Sequence, residues 1–285
     1  MSATPQTARL RIRHESGFSY EGLARASYNE ARMTPVSSNR QQVLEAALRT
    51  QPGAIQATYR DYFGTVVTAF DLQEPHDRLV VTATATVDTT APGPRPTPHP
   101  SAERQDPGFT DRYCEYLSTT PRTALPEEVA DELVARFGSF DAHEAAHGVT
   151  EWVRHEVRYV PGATHVHSTA AEVLTLGEGV CQDLTHVALA ALRLLGIPAR
   201  YVSGYLHPER GAELGVAAEG QSHAWLDYLG GEWVGIDPTN GSEVGLHHVV
   251  VAHGRDYADV PPLKGIYHGA PSRALGVVVE ITQLA

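Results

Sequence analysis

The stretch GEGVCQDLTHVALAALRLLG, from Gly177 to Gly196, decides the fold. Within it Leu184, Val187, Ala188, Ala191, Leu194 and Leu195 recur at helical spacing, which predicts a helix with a broad buried face. Gly196 and Pro198 end that helix, because Gly suits the residue beyond a helix terminus and Pro cannot continue one. Gly177 to Val180 form a loop, so Cys181 stands at or next to the helix N-terminus. Downstream, strand-like runs follow at Ala199–Tyr205, His223–Tyr228, Glu232–Ile236, His247–Ala252 and Ala274–Ile281. Upstream lie helical patterns: a short one over Thr110–Leu117, a second from Pro126 to about Phe137 that Gly138 stops, and a third over His143–Arg158. In the third, Val149, Trp152, Val153 and Val157 share one face. Helices followed by strands predict an α+β domain.

The N-terminal third reads differently. Leu10–Tyr20, Thr65–Leu72 and Leu79–Val87 alternate in part, and the last is rich in Val and Thr. Gln42–Arg49 is ambiguous between helix and strand. Asp61–Gly64 and Glu74–Asp77 are turn-like. Short strands joined by turns favour an antiparallel sandwich or sheet. Ala91–Pro100 (APGPRPTPHP) then places Pro at every second position from Pro92, which makes it an extended linker. The expected organisation is an N-terminal β domain over residues 1–90, a Pro-rich linker over 91–107 and a second domain over 108–285.

Composition narrows the function. There are 34 acidic and 22 basic residues and no Lys/Arg run, so a nucleic-acid partner is not expected. Two cysteines, Cys114 and Cys181, make neither a disulfide framework nor a Cys-rich zinc module. Met1 to Leu10 is polar, and no segment approaches the roughly 18 apolar residues that would span a bilayer. The expected compartment is the cytoplasm, without membrane contact, where a thiol stays reduced.

The chemistry centres on Cys181. A helix N-terminus, a neighbouring imidazolium and a polar pocket each favour the thiolate. A backbone N–H at the same place could bind an oxyanion. The base must come from elsewhere in the chain. His223 begins one strand, Asp237 ends the next, and Leu229-Gly230-Gly231 turns between them. Positions 223 and 237 are symmetric about 230, so a two-for-two hairpin register makes them cross-strand neighbours. An Asp in that place would hold the imidazole in one tautomer. Taken singly, Cys181 could be a small buried hydrophobe, His223 a structural histidine and Asp237 a turn residue. Their ordered placement at helix start, strand start and strand end argues for a catalytic triad.

Weaker signals surround this set. Asp183 lies in the first helical turn and reads as structural. His186 is about 140° around the helix from Cys181 and faces elsewhere. His165/His167 and His247/His248 lack a supporting carboxylate at motif spacing, so neither a metal nor a cofactor is expected. Cys114 reads as a packed free thiol. Tyr159 and Tyr205 are candidates to line the cleft.

Four ordered motifs also carry a resemblance. Gly179–His186 (GVCQDLTH), Leu195–Tyr205 (LGIPARYVSGY), Ser222–Trp225 (SHAW) and Trp233–Thr239 (WVGIDPT) resemble the bacterial transglutaminase-like superfamily. Asp61–Gly64 and Leu79–Val81 look like that family's N-terminal β domain, and His248–Tyr267 like its C-terminal extension. The resemblance covers nearly the whole chain. It implies a papain-like core, helices packed on an antiparallel sheet, with Cys181, His223 and Asp237 as the triad. The papain-type Gln is absent at its usual spacing, where Thr175 stands. Trp152, Gln182 and Tyr205 are the candidates for the oxyanion site or for substrate contact, although Trp152 also suits the core. The expected activity is cysteine-dependent hydrolysis of peptide or isopeptide-like amides in a peptide or protein substrate. Transamidation to an amine, or a non-catalytic binding module, are the alternatives.

Overall fold

The computed structural model describes residues 6–208 and 213–285. Residues 1–5 of the polar N-terminus and residues 209–212 therefore lie outside the described residues. The N-terminal region holds β1 (Thr7–Ala31), β2 (Gln41–Gln51), β3 (Gln56–Arg60), β4 (Val66–Leu72) and β5 (His76–Thr90). β1 is far longer than its partial alternation suggested. Ala8, Leu10, Ile12 and His14 are buried at alternate positions along its first half. Gln41–Gln51 is a strand because it pairs along its whole length with β5.

After an extended Pro-rich stretch come the short helices α1 (Ser101–Arg104), α2 (Pro107–Arg112) and α3 (Cys114–Leu117), and then α4 (Glu127–Phe137) and α5 (Ala142–Glu156). Thr110–Leu117 is thus split between two helices, with Tyr113 between them. β6 (Arg158–Tyr159), α6 (Ala170–Leu176), β7 (Glu178–Gly179) and α7 (Cys181–Leu194) follow. Every α7 residue from Gln182 to Arg193 is buried. Arg193 is tolerated there because its guanidinium donates to the carbonyls of Ala199, Ser118 and Arg255.

The remaining strands are β8 (Ala199–Leu206), β9 (Ala217–Glu219), β10 (Gln221–Gly230), β11 (Glu232–Asp237), β12 (Ser242–Glu243), β13 (His248–Gly254), β14 (Leu263–Gly269), β15 (Ser272–Ala274) and β16 (Val278–Gln283). Antiparallel strands in the order β12-β11-β10-β8-β13 form a central sheet, and α7 packs on it against β10 and β8. The second sheet is N-terminal in origin, but β14, β15 and β16 all pair with β1. The end of the chain thus returns to the sheet in which it began.

One apolar cluster joins the two parts. It runs from Leu10, Ile12 and Val87 through Val279 and Ile281 to Trp152, Leu184, Leu189 and Leu226. A second cluster, including Phe70, Leu72, Leu79 and Val81, fills the outer part of the N-terminal sheet.

Candidate active site

α7 starts sharply. Val180 is its extended N-cap residue, and Asp183 accepts a hydrogen bond from the Val180 N–H at 2.8 Å. Asp183 also accepts from Thr164 Oγ1 at 2.5 Å. Burial holds the Asp183 carboxyl above its usual pKa despite these bonds. It is a structural capping residue, as its place in the first turn suggested. Cys181 is the first helical residue and is half-buried. Tyr159 pairs in β6 with Gly179 of β7. Burial, and then Cys181, raise the pKa of the Tyr159 phenol.

The hairpin of β10 and β11 delivers the other two residues, in a register that differs from the expected one. Leu226 faces Ile236 and Gly230 faces Glu232, so the turn pivots on Gly231, at φ +89°, and not on Gly230. Extending that register sets Asp237 opposite Trp225, with His223 as its diagonal neighbour. The side chains still meet, with His223 Nε2 lying 2.7 Å from Asp237 Oδ2. A diagonal pair is within reach of an imidazole, which tolerates the two-residue error. Gly204 on β8 permits the arrangement. It faces His223, and a Cβ there would lie 2.4 Å from the Trp225 ring and 2.2 Å from the Val249 carbonyl.

Asp237 is fully buried and saturated with donors. Oδ2 receives His223 Nε2, Asn240 Nδ2 at 2.7 Å and His248 Nε2 at 3.3 Å. Oδ1 receives the N–H groups of Thr239 at 2.9 Å and Asn240 at 3.1 Å. Burial alone would raise the carboxyl pKa, but the bonds from His223 and His248 overcome it and hold it well below the usual range. For His223, burial opposes the charged ring. The bond to Asp237 and then the neighbouring Cys181 sulfur outweigh it and raise the pKa to about 10. The second ring nitrogen, Nδ1, is buried without a hydrogen-bond partner. The structure therefore brings Cys181, His223 and Asp237 together, with one imidazole nitrogen committed to the carboxylate and the other unspent beside the thiol.

The three weaker candidates fare differently. Tyr205 does not face the cleft, because its hydroxyl donates to the Met33 carbonyl at 3.0 Å and meets His14 Nδ1 at 3.0 Å. It is a buried tie between the central sheet and β1. Trp152 belongs to the core, and its buried indole N–H has no partner. Gln182, next to Cys181, makes no side-chain hydrogen bond among the described residues. His186 is buried and accepts from the Tyr257 N–H at 3.2 Å, away from the thiol. Cys114 is exposed and not packed, because α3 lies at the surface.

Sequence reasoning missed Asn240 and the role of His248. The His247-His248 pair was visible only as a weak metal signal. Among the described residues, His223, Asp237 and His248 are the one group whose ligand atoms converge, all within 4.8 Å. They do not suit a metal. His248 Nδ1 accepts from the Gly245 N–H at 3.3 Å, so the proton is on Nε2, the nitrogen that faces Asp237. His223 Nε2 is likewise committed to the carboxylate.

A cavity of about 430 Å³ is lined by Tyr159, Glu219, Gly220, Ser222 next to His223, and Val278–Glu280, but by none of the three triad residues themselves. Strand β16 of the N-terminal sheet forms one of its walls. Among the described residues, no helix is long and apolar enough to cross a membrane.

Comparison with known proteins agrees with this architecture. Residues 10–88 match the bacterial transglutaminase-like N-terminal region, and residues 129–238 match the transglutaminase-like superfamily core. An uncharacterized protein of Mycobacterium leprae is 44% identical over 97% of this chain and 99% of its own length. One of Mycobacterium bovis is 32% identical over 96% of this chain and 93% of its own length. The solved structure of a candidate cysteine protease from Cytophaga hutchinsonii superposes with a TM-score of 0.78 at 22% identity, over 98% of this chain and 92% of that one. At that identity the likeness is one of fold. With both regions matched in order along one chain, this protein belongs to the transglutaminase-like superfamily.

Proposed function

We propose that the chain is a cysteine-dependent hydrolase of peptide or isopeptide-like amide bonds, with Cys181 as nucleophile, His223 as acid and base, and Asp237 as the residue that orients His223. One observation carries this reading. Asp237 holds His223 by Nε2 at 2.7 Å and leaves Nδ1 buried, unpartnered and next to the Cys181 thiol. His14 and His186 also bury an unpartnered ring nitrogen, but among the described residues only His223 couples that free nitrogen to a carboxylate on its other side and to a thiol at a helix N-terminus.

In the reaction, the Cys181 thiolate attacks the amide carbonyl carbon, and the carbonyl oxygen becomes an oxyanion. The free N–H groups at the start of α7, those of Cys181 and Gln182, are placed to receive it. His223 passes its Nδ1 proton to the departing amine, and the C–N bond breaks to leave a thioester on Cys181. Neutral His223 then takes a proton from water, and the resulting hydroxide attacks the thioester. The acid leaves, and the thiolate–imidazolium pair is restored. An amine in place of water would make the same intermediate a transamidation.

The test is acylation by a thiol-directed probe at neutral pH. Label should persist in Cys114→Ser and vanish when Cys181→Ala is added to it. Equal labelling of Cys114→Ser with and without Cys181→Ala would reject the proposal. Release of acid against incorporation of an added amine then separates hydrolysis from transamidation.

A further inference from the structure

The carboxylate of Asp237 serves two imidazoles, and only one of them has a role so far. His248 is buried at the start of β13, and its Nε2 points at the same Oδ2 that holds His223. Its tautomer is set by the chain itself, because Nδ1 accepts from the Gly245 N–H and the proton must sit on Nε2. The ring also packs edge-on against Trp225 at 5.2 Å, and its centroid lies 6.3 Å from that of His223.

The segment carrying His248 is held from the N-terminal region. β13 is an edge strand of the central sheet, and the Gln41 side chain takes the place of a neighbouring strand. Gln41 Nε2 donates to the Val250 carbonyl at 2.8 Å, and the Val250 N–H donates to Gln41 Oε1 at 2.8 Å. Thr89 Oγ1 donates to the Leu246 carbonyl at 2.6 Å, and Arg40 Nη2 to the Val244 carbonyl at 3.2 Å. These bonds tie the backbone on both sides of His248 to the N-terminal region.

We propose that His248 is a positioning residue of the site, donating from Nε2 to Asp237 Oδ2 so that the carboxylate is held in one rotamer and shared between two imidazoles. This rests on the triad reading above. Sharing weakens the pull of Asp237 on the His223 proton. Other ionisable groups lie near. Cys181 faces His223, and the cavity behind His248 is lined by Arg40, Arg200, Asp227, Glu232 and His253. Asp227 is already paired with Arg200 at 2.9 Å and with His253 at 3.3 Å, so it is not free to replace His248.

Two variants separate positioning from packing. The glutamine amide reaches as far as Nε2, whereas the asparagine amide reaches only to the Nδ1 position. His248→Gln should keep the bond to Asp237. His248→Asn should keep the bond from Gly245 and lose the one to Asp237. The readout is the rate of Cys181 acylation against pH, in the Cys114→Ser background. Its alkaline limb follows loss of the His223 imidazolium. His248→Asn should move that limb upward by about half a pH unit or more, because losing a donor strengthens the pull of Asp237 on His223. His248→Gln should overlay the parent.

A His248→Asn profile that overlays the parent, or a His248→Gln profile that moves with it, overturns the proposal. The 15N shifts of the unaltered protein decide the same point without a variant. His248 should show an unprotonated Nδ1 and a protonated Nε2, and the opposite tautomer also overturns the proposal. Absence of Cys181 acylation in the parent would instead remove the proposed reaction, and the 15N measurement would still decide the His248 bond.

Discussion

Replacing Asp237 with asparagine probes the site most directly. Asp237 is the largest of the influences that lift the His223 pKa to about 10, against burial. Asparagine keeps the shape and can still accept the Thr239 and Asn240 N–H bonds at Oδ1. It removes the charge. Burial then acts with only Cys181 against it, and His223 should titrate at or below its ordinary value of about 6.5. At pH 7.5 the imidazolium fraction falls from nearly complete to about a tenth or less. The thiolate–imidazolium pair needs that proton, so Cys181 acylation at pH 7.5 should slow by about tenfold or more on protonation alone. The alkaline limb should move down by about three pH units.

The assay is the acylation rate of Cys181 by a neutral electrophile from pH 5 to 10, followed by intact-protein mass in the Cys114→Ser background. Stability should change in parallel. A folded-state pKa raised to about 10 means that the His223 contribution is complete below about 6.5 and is lost as pH rises through about 10. That alkaline loss should disappear in Asp237→Asn. An alkaline limb left in place by the substitution would refute the coupling of Asp237 to His223 on which the reaction rests.

Three further outcomes are expected. Tyr205→Phe strands the Met33 carbonyl and His14 Nδ1 in the interior, and should lower unfolding free energy by about 1–3 kcal/mol in urea without moving the acylation profile. An altered profile would return Tyr205 to the cleft. Gly231→Ala would force a positive φ on an L side chain and set a Cβ 2.1 Å from the Thr97 carbonyl of the Pro-rich stretch. It should destabilise by at least about 1 kcal/mol, and a neutral result would contradict the observed pivot of the hairpin. His14 is buried and neutral, with its pKa pushed down to about 4. Its stabilising contribution is therefore complete above about 6.5 and is lost as pH falls towards 4, a change of about 3 kcal/mol. Urea midpoints of wild type and His14→Asn between pH 7 and 4 check this, and equal acid losses in the two would contradict it.

Part of the site is legible in the sequence alone. The α7 run carries its own periodicity, its own stop at Gly196 and a cysteine at its start, all local in sequence. The hairpin could be located but not registered. Two consecutive glycines each suit the turn, and the structure gives the positive φ to Gly231 while Gly230 lies against His143. Tyr205 illustrates the opposite limit. An aromatic residue on a strand near the motif residues is equally suited to a cleft and to an interior contact. The partner that decides, His14, lies 191 residues away. Helix α6 went unread because its seven residues, Ala170–Leu176, are too few to show a period, although Thr169 and Glu172 form a capping box.

By itself the sequence determined the elements whose signals are short in range. These are the helix that begins at Cys181, the strand that begins near His223, the strand that ends at Asp237 and the change at the Pro-rich stretch. Tertiary structure alone decided the contacts whose partners are distant along the chain. It returned β14, β15 and β16 to β1, set β16 as a wall of the cavity that Tyr159 and Ser222 also line, and brought His248 to the carboxylate already held by His223. The reason is physical. Periodicity and capping report which face of an element is apolar and where the element stops. The partner that covers that face is chosen by shape and by the need to satisfy buried polar groups, and neither leaves a mark at fixed spacing.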